Sequence, residues 1–234
     1  RASYIGHIDV MRLLARVFRR AQVPVTYTLG YHPKPNMSFG PALALGVPSL
    51  GEIFDVRLDT TPEPEALLAA LNQVAPDGLR FLAARRLGAA DAGLAKHVAA
   101  ADFVLGAPAD GAVDLERVAQ AFLARATAVT GRGHDARPAV LDLAVLDAPA
   151  VARALGWRER PLLRARLRVS SEGSVKPIEL AELLGLQGAE IGRIGLIGLD
   201  GEGREYDPLD PPALPPRVRA TPSPSVPVVA DHAD

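Results

Sequence analysis

GYHPKPNMSFGPALALGVPSLGEIFDVRL, residues 30–58, is the stretch whose reading decides the fold. Pro33 and Pro35 fix their own φ and push His32 and Lys34 out of the helical region, which predicts an extended, presented loop. The stretch closes on residues 52–58, where Ile53, Asp55 and Arg57 alternate with Phe54, Val56 and Leu58, the period of two that marks a strand. Between them, residues 39–47 read as a second extended piece. On the N-terminal side, Val25, Tyr27 and Leu29 alternate with Thr26 and Thr28, a strand that Gly30 breaks. Further back, Ile8, Met11, Leu14, Val17, Phe18 and Ala21 recur at spacings of three and four and predict a helix over residues 7–21 with one buried face.

Outward in the other direction, Pro64 opens a helix over residues 64–74, and Asp77-Gly78 turns the chain into a strand over residues 79–84. Residues 1–5 read as the tail of a strand, with Tyr4 and Ile5 as its last bulky members. The order is therefore strand, helix, strand, strand, helix, strand. The second half repeats it, with strands at 103–105, 139–146, 162–169 and 192–199 and helices after Asp114 and over 177–184. This predicts an α+β protein of two tandem ferredoxin-like (split βαβ) units packed together. The units are residues 1–88 and 97–202, joined across 88–96, and residues 203–234 read as a disordered Pro-rich tail.

At 234 residues and 48% apolar content the chain can bury sizeable cores, and a net charge of −1 leaves any affinity for polyanions to a local patch. The absence of cysteine excludes disulfides, thiol nucleophiles and protein-ligated iron–sulfur clusters. No apolar run reaches the roughly 18 residues of a membrane span, so no membrane partner and a cytoplasmic location are expected. The chain opens on Arg1 rather than Met, so a preceding segment is expected upstream.

His7 and His32, with Asp9, are the candidate ligands or general bases. A metal site would need a third ligand that the sequence does not place, and a hydrogen-bonded structural role is favoured for His7. His97, His134 and His232 fall in linker or tail and are expected to be solvated. Tyr31, His32 and Lys34 combine stacking groups and a cation on a rigid loop, and Arg12, Arg16 and Arg20 line one side of the preceding helix. Single-stranded RNA binding asks for that mixture. The competing account is a solvated cationic face, with Arg19 and Arg20 complementing the helix dipole. Glu52 and Asp55 sit three apart on a strand, so they point to opposite faces and cannot form an acid–base pair. An ion pair from one of them to the arginine face is expected instead. Lys176, at the start of the helix over 177–184, could help hold an anion, although a plain helix start is the favoured reading. Gly195 and Gly198 lie inside a strand, where close packing is the usual reason. No nucleotide-binding glycine loop, Walker lysine motif, serine elbow or metalloprotease pair is present.

The segment GHIDVMRLLARVFRRAQVPVTYTLGYHPKPNMSFGPALALGVPSLGEIFDVRL resembles the opening of the radical-SAM-associated protein family, a bacterial domain of unknown function. The later GSVKPIELAELLGL and the arginine of GRIGL extend the resemblance over residues 4–199. It implies a radical SAM protein as partner and, through members whose genes lie beside ribonuclease E/G genes, RNA. With no cysteine here, the cluster, SAM and cobalamin would belong to a partner or an upstream module, and this chain itself would bind no cofactor. The resemblance brings no established catalytic residues. The expected function is a non-catalytic accessory domain that binds RNA or an RNA-modifying radical SAM partner through His7, Arg12, Arg16, Arg20, Tyr31, His32, Lys34 and Lys176. Two alternatives stand beside it. One is a metal-free endoribonuclease-like enzyme using His7 or His32, the other a purely structural docking domain.

Overall fold

The computed structural model describes residues 6–88, 93, 96–107, 113–170 and 175–211. It is a mixed α+β structure with two sheets, one in each half of the sequence.

The first half begins with α1 (His7–Arg20), which places Asp9 in its first turn and Arg19 and Arg20 in its last, both favourable to the helix dipole. Gln22 takes the left-handed conformation (φ 58°) just past the helix end and turns the chain back. β1 (Met37–Phe39) and β2 (Phe54–Val56) form a two-stranded antiparallel ladder. Val25 bridges Leu58 beside it. α2 (Pro64–Val74) starts with its proline in the first turn, where the missing N–H costs nothing. Val17, Phe18 and Leu71 form the buried centre of this half and pack on Phe54, Val56 and Phe81. Phe18 meets Phe54 edge to face at 6.3 Å and Phe81 at 6.4 Å, an arrangement aromatic quadrupoles favour.

The second half is built on β3 (Ala100–Gly106), buried at every residue. α3 (Leu115–Leu123) follows, its N-terminus capped by the Asp114 carboxylate accepting the Arg117 N–H at 3.0 Å. Then come β4 (Val140–Leu146), the short α4 (Pro149–Ala154), β5 (Leu162–Arg168), α5 (Pro177–Leu183), β6 (Glu190–Leu199) and β7 (Glu205–Tyr206). The strand order is β4-β5-β3-β6-β7, with every neighbouring pair antiparallel. Leu105, Phe122, Leu163 and Leu180 knit the sheet to α3 and α5 in the main core. Within the sheet Asp102 accepts both Arg166 Nε and Nη2, at 2.7 and 2.8 Å, so two buried charges on the central strands satisfy each other. Glu205 of β7 also pairs with Arg166.

Several expectations meet a different outcome. Among the described residues, 79–84 join no ladder; Phe81 donates its N–H to Asn72 Oδ1 and its C=O accepts from Asn72 Nδ2, at 2.9 Å each. Residues 40–52, expected to be extended in part, fold as an irregular loop against β6. Pro48 and Leu50 exchange backbone hydrogen bonds with Arg193 at 2.9 and 3.0 Å. The tail boundary at 203 is too early. Tyr206 stacks on Gly198, where a Cβ would lie 2.2 Å from the ring, and Pro208 is fully buried, contacts that a Pro-rich composition conceals. His97 is not solvated. It is 7% exposed with Nδ1 3.3 Å from the Tyr206 hydroxyl. The expected strand at 1–5, most of the joint at 88–96 and the rest of the tail lie outside the described residues.

Candidate nucleic-acid interface

The GYHPKP segment is the tip of a β-hairpin. Thr28 N–H donates to the Lys34 carbonyl at 2.8 Å, Asn36 N–H donates to the Thr26 carbonyl at 2.8 Å, and Tyr27 bridges Pro35. Below that point Thr26 N–H bonds the Arg57 carbonyl at 2.9 Å, and its hydroxyl donates to Asp59 at 2.6 Å. The hairpin is thus rooted on the small sheet and its tip stands clear of it. Gly30 turns the tip with φ 129°, a backbone conformation other residues avoid. Leu29 and Tyr31 are 102% and 101% exposed, so neither side chain packs on anything in the described structure. His32 and Lys34 are exposed beside them.

On α1 the buried face carries Leu14, Val17 and Phe18, which leaves Arg12, Arg16, Arg19 and Arg20 in solvent. Arg12 stands 3.6 Å from the Asp9 carboxylate, both side chains mostly exposed, a pairing of little strength in water. Among the described residues no ion pair or hydrogen bond engages the guanidinium groups of Arg16, Arg19 and Arg20. Three like charges on adjacent turns with no partner among the described residues leave a local positive field. Four residues separate the helix end at Arg20 from the hairpin base at Val25. At about 3.3 Å per residue its tip lies roughly 17 Å from the base at Val25.

Of the two carboxylates from which an ion pair to this arginine face is expected, Glu52 does not supply it. Glu52 belongs to Arg193 of β6, whose Nη1 lies 2.8 Å from its carboxylate. The same guanidinium donates to the carbonyls of Pro41 at 2.9 Å and Ala42 at 3.1 Å and lies over the Phe103 ring at 5.2 Å. Arg193 is 2% exposed, and burial pushes its pKa down while Glu52 holds it charged. The loop folds back across β6, bringing Glu52 to that buried arginine and leaving the α1 cations to solvent.

Lys176 sits apart from the hairpin, at the start of α5 in the helical layer of the second half, its N–H bonded to Glu179 at 3.0 Å. Glu179 also pairs with Arg132 at 3.1 Å, so this corner is structural in its described contacts. Residues 171–174 before it, and the side chain of His7, lie outside the description. Sequence reasoning missed Leu29 as an exposed residue, because strand alternation places it with Val25. The available signal was Gly30 and the two prolines, which carry the hairpin past the sheet. Among the described residues no group of three His, Cys, Asp or Glu could hold a metal ion, and no helix is long and apolar enough to cross a membrane.

An apolar cleft of about 800 Å³ separates the two halves, lined by Val10, Leu14, Ile53, Phe54, Phe81 and Leu196 among others. It is distinct from the hairpin tip. The profile of a family described as an uncharacterized protein conserved in bacteria (DUF2344) matches residues 1–177. A search of the curated proteins gave no match.

Proposed function

Because the chain belongs to the family of uncharacterized proteins conserved in bacteria (DUF2344), we propose for it the role of a non-catalytic accessory domain that binds single-stranded RNA within a cytoplasmic radical SAM system. The observation that carries the reading is the pairing of unengaged arginines on α1 with a projecting hairpin whose tip exposes Tyr31 entirely. Phosphates would meet Arg12, Arg16 and Arg20, and a base would stack on Tyr31 with Lys34 and His32 beside it. Cobalamin and SAM would belong to the partner, in keeping with the absence of cysteine here. The tandem ferredoxin-like organisation is part of the same proposal. It is supported by the β4-β5-β3-β6 strand order of the second half, and by the pairing of residues 24–26 with 57–59 in the first.

The test is equilibrium binding of a labelled single-stranded RNA to the full chain across a salt series. Four engaged cations give a log–log slope of about −3. Arg12→Glu with Arg16→Glu should flatten that slope, and Tyr31→Ala should weaken binding without changing it. A flat salt dependence in the unmodified chain would overturn the reading. RNA cleavage lost in His32→Ala would replace binding with catalysis. Association with a radical SAM protein without RNA affinity would leave only docking.

A further inference from the structure

We infer that the hairpin over residues 25–35 is a wedge, and that the RNA it takes is a junction where a paired stem opens into two unpaired strands, one on each face of the hairpin. This rests on the RNA reading of the same site and gives it a substrate class. The backbone register sorts the side chains. Val25 bridges Leu58 and Tyr27 bridges Pro35, each bridge flanked by hydrogen bonds from the neighbouring residues, so the two partners of a bridge point to one face. Val25 and Leu58 pack with Val17 and Phe18, which makes this the face that α1 covers. Where the hairpin leaves the sheet, the same face carries Tyr27, 53% exposed, and by alternation Leu29, wholly exposed. Alternation gives the opposite face Thr26, Thr28, Lys34 and Asn36. Arg57 joins them, its N–H on the Asn36 carbonyl at 3.0 Å and its own carbonyl on the Thr26 N–H at 2.9 Å. Lys34 and Arg57 are exposed, and among the described residues no ion pair or hydrogen bond engages the ammonium or the guanidinium. Of the carboxylates on this face, Asp59 accepts the Thr26 hydroxyl at 2.6 Å and Asp55 is half-buried further along β2.

The two faces suit different parts of a nucleic acid. A half-exposed tyrosine ring gives a base a platform, and the α1 cations stand on that side of the sheet to meet its phosphates. The other face has two cations with an amide and hydroxyl groups and no ring, a set suited to phosphate and ribose. A lone strand fills one face and leaves the cations of the other without an anion. It also leaves Leu29 unused. That side chain has no ring to stack and no polar atom to bond, yet it is presented in water beside Gly30 by a stiff hairpin, closed by two prolines and by the Lys34 N–H on the Thr28 hydroxyl at 3.0 Å. An apolar tip of this kind, Leu29 with Tyr31, inserts between base steps, where its removal from water offsets the cost of unstacking. An apolar point with a cation-bearing flank on each side matches a fork, whose two strands part around it.

The test measures equilibrium binding of the full chain, at one salt concentration, to three labelled RNAs: a stem with two unpaired arms, the blunt stem, and one arm alone. The forked RNA should bind about tenfold tighter than either part. A fork also carries more phosphates, so binding is repeated with Leu29→Ser, which keeps every charge. This variant should weaken the fork several-fold and leave the single arm unchanged. Arg57→Glu should weaken the fork more than the single arm, and Tyr27→Ala should weaken both. Equal affinity for the fork and the single arm, or a fork bound by Leu29→Ser as tightly as by the unmodified chain, overturns the wedge and leaves the single-strand reading standing. Arg57→Glu weakening the single arm as much as the fork overturns the division between faces. No affinity for any of the three RNAs overturns the RNA reading and the wedge with it.

Discussion

Arg193 and Glu52 meet at 2.8 Å across the junction of the two halves, and the arginine is the buried member, its side chain 3% exposed against 42% for the glutamate. A guanidinium brought out of water needs its donors met, and two loop carbonyls add to what the single carboxylate begins, while Nε is buried with no hydrogen-bond partner among the described residues.

Arg193→Met should therefore destabilise the chain by about 2–3 kcal/mol, since it strands the Pro41 and Ala42 carbonyls as well as removing the charged bond. Glu52→Ala, which leaves the buried guanidinium without its counter-charge, should cost at least as much. Urea unfolding measures both, and a change within about 0.5 kcal/mol for either would show the junction to be held by its backbone bonds instead.

Gly198 permits the Tyr206 ring to lie on β6. A Cβ at that position would sit 2.2 Å from the ring, so Gly198→Ala must expel Tyr206 or distort the strand. A loss of about 1–3 kcal/mol is expected. Gly195→Ala, with nothing within 4 Å of the added carbon, should cost much less and serves as the control.

Burial, with the Asp200 charge nearby, raises the pKa of Tyr206 above its ordinary value of 10.0. A group with a raised folded pKa contributes stability below its unfolded pKa and loses it as pH rises through the folded one. Stability should fall above pH 10, and Tyr206→Phe should remove that part of the fall. Absorbance titration of the tyrosinates should show one group ionising late in the unmodified chain and none so late in the variant.

At the hairpin tip stability and binding should separate. Leu29→Ser and Tyr31→Ala touch no packed neighbour, so unfolding free energies should stay within about 0.5 kcal/mol of the unmodified chain. RNA affinity should fall by about 1–3 kcal/mol for Tyr31→Ala if a base stacks there. Equal affinities would remove the stacking contact from the proposal.

Much of this was legible before the structure. α1 announces itself by period because it has one buried face, and β3 by an apolar run because it is buried on both faces. The hairpin was legible as a presented loop from Pro33 and Pro35, whose restriction on φ is local chemistry. The Arg193 clamp was not, since its partner Glu52 lies 141 residues away and no local pattern distinguishes a buried arginine from a solvated one. Asn72 was hidden for a similar reason: a side-chain amide that imitates a strand partner for Phe81 leaves the period of residues 79–84 unchanged. β7 was masked by composition, its two residues too few to carry a period and followed closely by prolines.

The parallel bridge between Ser49 and Arg193 also bears on how the protein can be dissected. Residues 48–50 of the first half shield the outer flank of β6, the flank an isolated second half would present bare. Cutting the chain at residue 96 would uncover that flank and its buried guanidinium together, inviting self-association through edge pairing. The two halves are therefore not interchangeable modules: the first supplies the segment that covers an edge of the second's sheet.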